Sequence, residues 1–252
     1  MRVSPTTVPV LLQGEVGVGK SVLSRFIHGH SAAAHGPYTS INCAALGGPS
    51  PIKDPFLPLQ GALGFVPANS DDASPSSRPG TIFLEQVSEL TPRLQQQLAR
   101  SLAESDECAT TDWHEAQERV RIICSNTRNL RRDVKLGHFQ RDLFHRLVVV
   151  VIDVPPLRNR LEDLPGIAEY LRLRHGAQLA GTDPPFSQEM LARMLTYQWP
   201  GNVRELENFV CRYVVLGGEG SSLEDSVALF HSCADADIYG CVTRGSKQNW
   251  IH

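Results

Sequence analysis

The eight residues GEVGVGKS, Gly14 to Ser21, constrain this chain more than any other stretch. They fit the pattern G-x-x-x-x-G-K-[ST], whose glycines let backbone N–H groups turn inward around a polyphosphate while the following helix presents its positive end. In that pattern Gly14, Glu15, Val16, Gly17, Val18 and Gly19 form the cradle for ATP, Lys20 reaches the β- and γ-phosphates, and Ser21 supplies a hydroxyl ligand to Mg²⁺. The flanks agree. Val10 to Leu12 is a short apolar run entered through Pro9, and Val22, Leu23, Phe26 and Ile27 fall on one face of a helix after the loop. The competing reading is an ordinary glycine turn, which would not require a strand before it and an amphipathic helix after it.

Further β-rich runs stand at Tyr38 to Ile41, Thr81 to Leu84, Val120 to Cys124 and Leu147 to Val154, with helical patterns between several of them. Strands alternating with helices predict a parallel sheet flanked by helices. A helix should start at Thr91-Pro92, a cap and first-turn pair, and bury Leu94, Leu98 and Leu102. The Ser-, Pro- and Asp-rich segment Ala68 to Gly80 reads as a surface loop. After Pro155-Pro156 strand signals stop, and helical patterns follow near Leu161 to Arg174, Ser187 to Tyr197 and Asn202 to Leu216. The expected organisation is an α/β nucleotide-binding core over residues 1–156, a small all-helical domain over 157–216, and an unassigned tail over 217–252.

Composition narrows the setting. The 24 basic and 27 acidic residues nearly cancel, so no overall field argues for nucleic acid or an anionic membrane. The six cysteines form no C-x-x-C pair and no zinc-ligand cluster, which fits buried thiols in a reducing cytosol. The first residues lack the long apolar core of a signal peptide, and no stretch reaches the roughly 18 apolar residues of a membrane span. A cytoplasmic protein is the expectation.

A P-loop ATPase also needs a carboxylate at the end of a neighbouring strand to hold the Mg²⁺ shell, and a second that polarises the attacking water. TIFLEQV, residues 81 to 87, offers Glu85 and Gln86. Glu85 can accept hydrogen bonds from Mg²⁺-bound water, whereas Gln86 is an amide and cannot take a proton. The alternative is that both residues merely end a strand in solvent.

GEVGVGKS, PGTIFLEQV, VPPLRNRLEDLP and WPGNVRELEN occur in this order. Together they resemble the central AAA+ domain of sigma-54-dependent transcriptional activators, the bacterial enhancer-binding proteins, from about Val10 to about Leu216. The resemblance implies a P-loop AAA+ core with a helical lid. It also implies an ATPase ring, homo- or hetero-oligomeric, that remodels RNA polymerase holding sigma-54. Arg204, in WPGNVRELEN, matches the lid arginine that senses the γ-phosphate; the alternative is a surface arginine paired with Glu205 or Glu207. Arg146, in FQRDLFHRL, matches one of the family's arginine fingers.

Several positions depart from the family pattern. Gln86 replaces the catalytic Glu, Asn126-Thr127 inverts the sensor pair Thr-Asn, and Gln140 holds the first finger position with Arg141 displaced by one. GALGFV at Gly61 to Val66 stands where the family carries the sigma-54-contacting GAFTGA. Few residues precede Val10 to enclose an adenine, and no helix-turn-helix pattern for reading DNA is found from Gly217 to His252. Ser21 runs the other way, since it places a hydroxyl where the family often has Glu.

His28, His30 and His35 lie close in sequence but lack a carboxylate or cysteine partner for a metal, and Arg128, Arg131, Arg132 and Lys135 read as a solvated or subunit-contact face, with a nucleic-acid contact as the alternative. Three functional classes follow: a working AAA+ ATPase, a nucleotide-binding switch or inactive ring subunit, and a P-loop enzyme of another kind such as a small-molecule kinase. The lid motif speaks against the last. Nucleotide binding is the better supported half of the activity, and turnover is the open half.

Overall fold

The computed structural model describes residues 3–46, 80–108, 120–179 and 184–217. GALGFV, residues 68–79 of the Ser/Pro-rich segment and residues 218–252 lie outside them. The chain divides into two compact units between Pro156 and Leu157.

The first unit runs β1 (Val10–Gln13), α1 (Lys20–Gly29), β2 (Tyr38–Asn42), α2 (Cys43–Leu46), β3 (Thr81–Glu85), α3 (Pro92–Cys108), β4 (Arg121–Asn126), α4 (Leu130–Lys135), α5 (Arg141–Leu147) and β5 (Val150–Asp153). The five strands form one sheet in the order β2-β3-β4-β1-β5, and each neighbouring pair is parallel. The fold is thus the α/β P-loop architecture expected from alternating strands and helices. β1 lies between β4 and β5 with Gln13 beside Asn126 and Asp153, so the loop after β1 emerges at the strands' carboxyl ends.

Alternation along the strands builds two cores. Val10, Leu12, Phe83 and Ile123 face Ile27 of α1, while Leu11, Leu84 and Cys124 pack with the leucines of α3 and with Leu143 and Leu147 of α5. Cys43 and Cys124 are buried, and burial pushes the Cys43 thiol up to about 12, out of the range of a reactive thiolate.

Two expectations need correction. Leu147 does not open the fifth strand: it closes α5, where the interval of four from Leu143 puts both leucines on one buried helical face, and the strand is only Val150–Asp153. Along α1, Val22 and Phe26 are 72% and 48% exposed, and the fully buried positions are Ser24 and Ile27. The small Ser24 lets the helix approach the sheet, and its hydroxyl is satisfied by Ser21 O at 2.8 Å and Tyr38 Oη at 2.6 Å. Phe26 instead lies against His30, with ring centroids 4.1 Å apart.

At the opposite end of the sheet, buried Arg121 donates to Ser4 O (2.6 Å) and Val3 O (2.9 Å). This ties the segment before β1 to the first residue of β4.

The second unit contains α6 (Leu164–Leu179), α7 (Gln188–Thr196) and α8 (Asn202–Val215) around a core that includes Leu164, Met194, Trp199, Leu206 and Phe209. Ser187 caps α7 by accepting from Met190 N at 3.1 Å. The WPGN turn is held in left-handed backbone at Trp199 (φ 48°) and Asn202 (φ 55°). Buried partners stabilise this uncommon geometry: Trp199 Nε1 donates to Met194 O, and Asn202 Oδ1 accepts from Leu157 N, each at 2.8 Å. Among the described residues no helix is long and apolar enough to cross a membrane.

Candidate nucleotide site

The loop between β1 and α1 is shaped by its glycines. Gly14 N donates to Asn126 O at 3.2 Å and Val154 N donates to Gln13 O at 2.7 Å, which pins the strand end between its neighbours. A Cβ at Gly14 would sit 2.6 Å from Val154 O, so no larger residue fits without moving backbone. Gly17 (φ 78°) and Gly19 (φ 99°) lie in the left-handed region, where a side chain is strained. Gly19 is the N-cap of α1, and the first N–H groups of that helix have no carbonyl one turn back. Val18 is buried as the loop's anchor, Glu15 is half-buried and Val16 points outward.

Lys20 opens α1, and its ammonium donates to Gly14 O and Glu15 O, each at 2.7 Å. Burial lowers the Lys20 pKa from its ordinary value, and the carboxylate of Glu85 works against that shift. The loop lysine and the β3 carboxylate are therefore close enough to feel each other's charge. Ser21, the second residue of α1, is exposed. Oxygen donors on Ser21 and Glu85 are the hard ligands that Mg²⁺ takes.

Glu85 ends β3 half-buried, and Ser40 Oγ on β2 donates to its Oε1 at 3.0 Å. The bond is exposed, and it ties the carboxylate to the neighbouring strand. Gln86 follows in left-handed backbone (φ 55°, ψ 55°) and starts a tight turn over Val87–Glu89. Its N–H approaches Ser125 Oγ at 3.4 Å, and Glu89 N donates back to Gln86 O at 2.9 Å.

Asn126 at the end of β4 is fully buried. Its Oδ1 accepts from Ser88 Oγ at 2.7 Å and its Nδ2 donates to Arg128 O at 3.0 Å, so the inverted sensor pair turns its amide into the protein.

Gln140 stands at the N-cap position of α5 but makes no side-chain cap bond, and its Oε1 is buried without a hydrogen-bond partner among the described residues. Arg141 is exposed and Arg146 is half-buried on the same helix. Arg204 is exposed on the first turn of α8. The two carboxylates considered as its partners are otherwise engaged. Glu205 accepts from Tyr197 Oη and Gly201 N, and Glu207 faces Arg174 Nη1 at 3.4 Å. Arg128, Arg131, Arg132 and Lys135 are all exposed. Two of the three histidines have ordinary partners: His28 Nδ1 bonds Thr81 Oγ1 and His30 Nδ1 bonds Phe26 O, both at 2.9 Å.

Ser40, Ser88, Ser125 and Gln95 were not singled out from the sequence. Ser40 lies in the middle of β2, Ser125 near the end of β4 and Ser88 in the turn after β3, and each hydroxyl meets its partner only once the sheet order is known.

A glycine-rich loop opening onto a helix N-terminus at the carboxyl edge of a parallel sheet, followed by a separate helical unit, defines a P-loop NTPase core with a lid of the AAA+ class. Residues 1–153 match the sigma-54 interaction domain, and residues 158–227 match an AAA+ ATPase lid domain. The chain belongs to the sigma-54 interaction domain family. It is 39% identical over 218 residues to the transcriptional regulatory protein XylR of Pseudomonas putida, covering 86% of this chain and 38% of that protein. It is 34% identical over 224 residues to FlbD of Caulobacter vibrioides, covering 89% and 49%. Among solved structures, NtrX of Brucella abortus in complex with ATP superposes with a TM-score of 0.66 at 29% identity, over 85% of this chain and 49% of that one. The chain thus spans less than half the length of these relatives.

Proposed function

We propose that this chain binds ATP with Mg²⁺ as the AAA+ module of a sigma-54-dependent transcriptional regulator in the cytoplasm. The observation that carries the reading is the loop itself: Gly17 and Gly19 in left-handed backbone and Lys20 at the first position of α1. A triphosphate offers Lys20 a charge-assisted bond in place of two neutral carbonyls, and offers the helix N-terminus an anion. The NtrX structures, which hold ATP and ADP, support the same ligand here.

In this reading the backbone from Gly14 to Gly19 and the Lys20 ammonium hold the phosphates, and Ser21 and Glu85 hold Mg²⁺. Bound there, the metal neutralises charge on the phosphate oxygens. Arg204 and Arg146 supply guanidinium groups toward the γ-phosphate, Arg146 across a subunit boundary of a homo- or hetero-oligomeric ring. The ring's partner is RNA polymerase carrying sigma-54, with GALGFV at the position of the contacting loop.

Gln86 favours a second reading, a nucleotide-binding switch or inactive ring subunit. An amide can orient water but cannot accept its proton. Phosphoryl transfer relies largely on positioning and charge stabilisation, so the loss slows the reaction rather than forbidding it. ATP binding and phosphate release measured on one sample across a protein concentration series separate the readings. Binding with release that rises per subunit with concentration is the outcome for an active ring. Binding without release is the outcome for a switch, and absence of binding removes both.

A further inference from the structure

Gln95 lies in the first turns of α3 and is 3% exposed, an unusual place for an uncharged amide. Its three side-chain hydrogen bonds all go to segments other than its own helix. Nε2 donates to Leu90 O at 2.8 Å and to His138 O at 3.1 Å, and Oε1 accepts from Gln140 N at 2.8 Å. Leu90 ends the turn that Gln86 begins, a unit braced by Glu89 N to Gln86 O and Leu90 N to Val87 O. Gln140 is the N-cap of α5, the helix carrying Arg141 and Arg146. One side chain therefore joins the end of the Gln86 turn to the start of the arginine helix.

Apolar packing already holds α3 against α5, through Leu94, Leu98, Phe139, Leu143 and Leu147. Such packing is non-directional and tolerates a small slide of one helix past the other. Three hydrogen bonds from one planar amide do not tolerate it, because each has a narrow angular range. Glutamate cannot donate to the two carbonyls, and an aliphatic side chain would remove the bonds to Leu90 O, His138 O and Gln140 N, of which the Leu90 bond is buried and the other two part-buried.

We propose that Gln95 is a positioning residue that makes α5 follow the Gln86 turn, so that a change at the β3 edge on nucleotide binding shifts the arginine-bearing helix. Gln95 touches neither nucleotide nor metal in this scheme; it acts through Leu90 on one side and Gln140 on the other. The proposal rests on the ATP-binding reading above and does not require turnover.

The test is hydrogen–deuterium exchange on the full chain and on Gln95→Met, with and without Mg²⁺ and the non-hydrolysable β,γ-imido analogue of ATP, alongside the affinity for that analogue. In the wild-type chain the Gln140 N–H is protected, and nucleotide changes exchange across residues 138–147 by about threefold or more. In Gln95→Met the Gln140 N–H exchanges about tenfold faster, the nucleotide response of 138–147 is lost, and affinity stays within about twofold. Gln140→Pro gives a second version: φ at Gln140 is −66°, which suits the ring, and the N–H bonded to Gln95 is removed together with the Gln140 carboxamide, for which Gln140→Ala, which keeps the N–H, is the control. Gln140→Pro carries the test alone if Gln95→Met does not fold, and the response over 141–147 should again vanish. A nucleotide response that persists in Gln95→Met or in Gln140→Pro overturns the relay. So does a wild-type chain that binds the analogue with no response over 138–147. A wild-type chain that does not bind the analogue overturns the ATP reading itself, and the relay with it.

Discussion

The phosphate loop and the end of β3 face the same site but meet its demands by different means. The loop works through backbone: Gly14 is fixed by the nearness of Val154 O, Gly17 and Gly19 by left-handed dihedrals, and the one side chain that matters, Lys20, is set by its place at the head of α1. The β3 edge offers side chains, and in the proposed reading the identity of residue 86 sets the chemistry without any demand on the fold. Glu85 keeps its carboxylate and its bond to Ser40, while Gln86 occupies a well-braced turn with a group that cannot take a proton. Binding and turnover can therefore part company in a chain whose architecture is intact.

The sharpest way to break this contrast is to put a carboxylate at position 86. Gln86→Glu with Glu85→Asp should raise steady-state phosphate release by a factor on the order of 10² to 10⁴, the usual contribution of a general base. No increase would move the block from Gln86 to Asn126 or to the helix carrying Gln140. Next in size, Lys20→Ala should weaken ATP binding by about a hundredfold, the loss of a charge-assisted contact of roughly 3 kcal/mol. Titration calorimetry showing unchanged affinity would remove the phosphate-loop assignment.

Smaller still, Gly14→Ala forces a methyl against Val154 O and should cost about 1–3 kcal/mol of stability in urea unfolding, as overpacking does. A neutral result would mean the strand end can shift and the backbone argument for the loop is weaker than drawn.

The smallest effect tests the link between the two regions. Burial lowers the Lys20 pKa, so between that lowered value and the ordinary 10.5 the unfolded chain binds more protons than the folded one. Stability should then rise with pH across that window relative to Lys20→Met, which lacks the group. Glu85→Gln removes the opposing charge and should extend the window to lower pH, as followed by unfolding midpoints at matched ionic strength.

What the sequence made legible follows the same division. Phosphate-loop residues announce themselves because a backbone requirement leaves only glycine at particular positions, and the parallel sheet follows from alternating strand and helix patterns. The buried side of α1 did not follow: periodicity marks an apolar face, but the sheet receives Ser24 and Ile27 and leaves Val22 outside. Leu147 was misplaced for a related reason, since a run of apolar residues across a helix end and a strand start looks continuous. Gln95 carried no local signal, because the carbonyl and N–H it binds beyond α3 are 43 and 45 residues away in the chain. The inward turn of Asn126 was likewise invisible until Ser88 and Arg128 were set beside it.

Arg121 gives β4 a mechanical meaning. One end of the strand grips the main chain of Val3 and Ser4, and the other end, at Asn126, receives the Gly14 N–H of the phosphate loop. The buried strand β4 thus joins the segment before β1 to the rim of the candidate site.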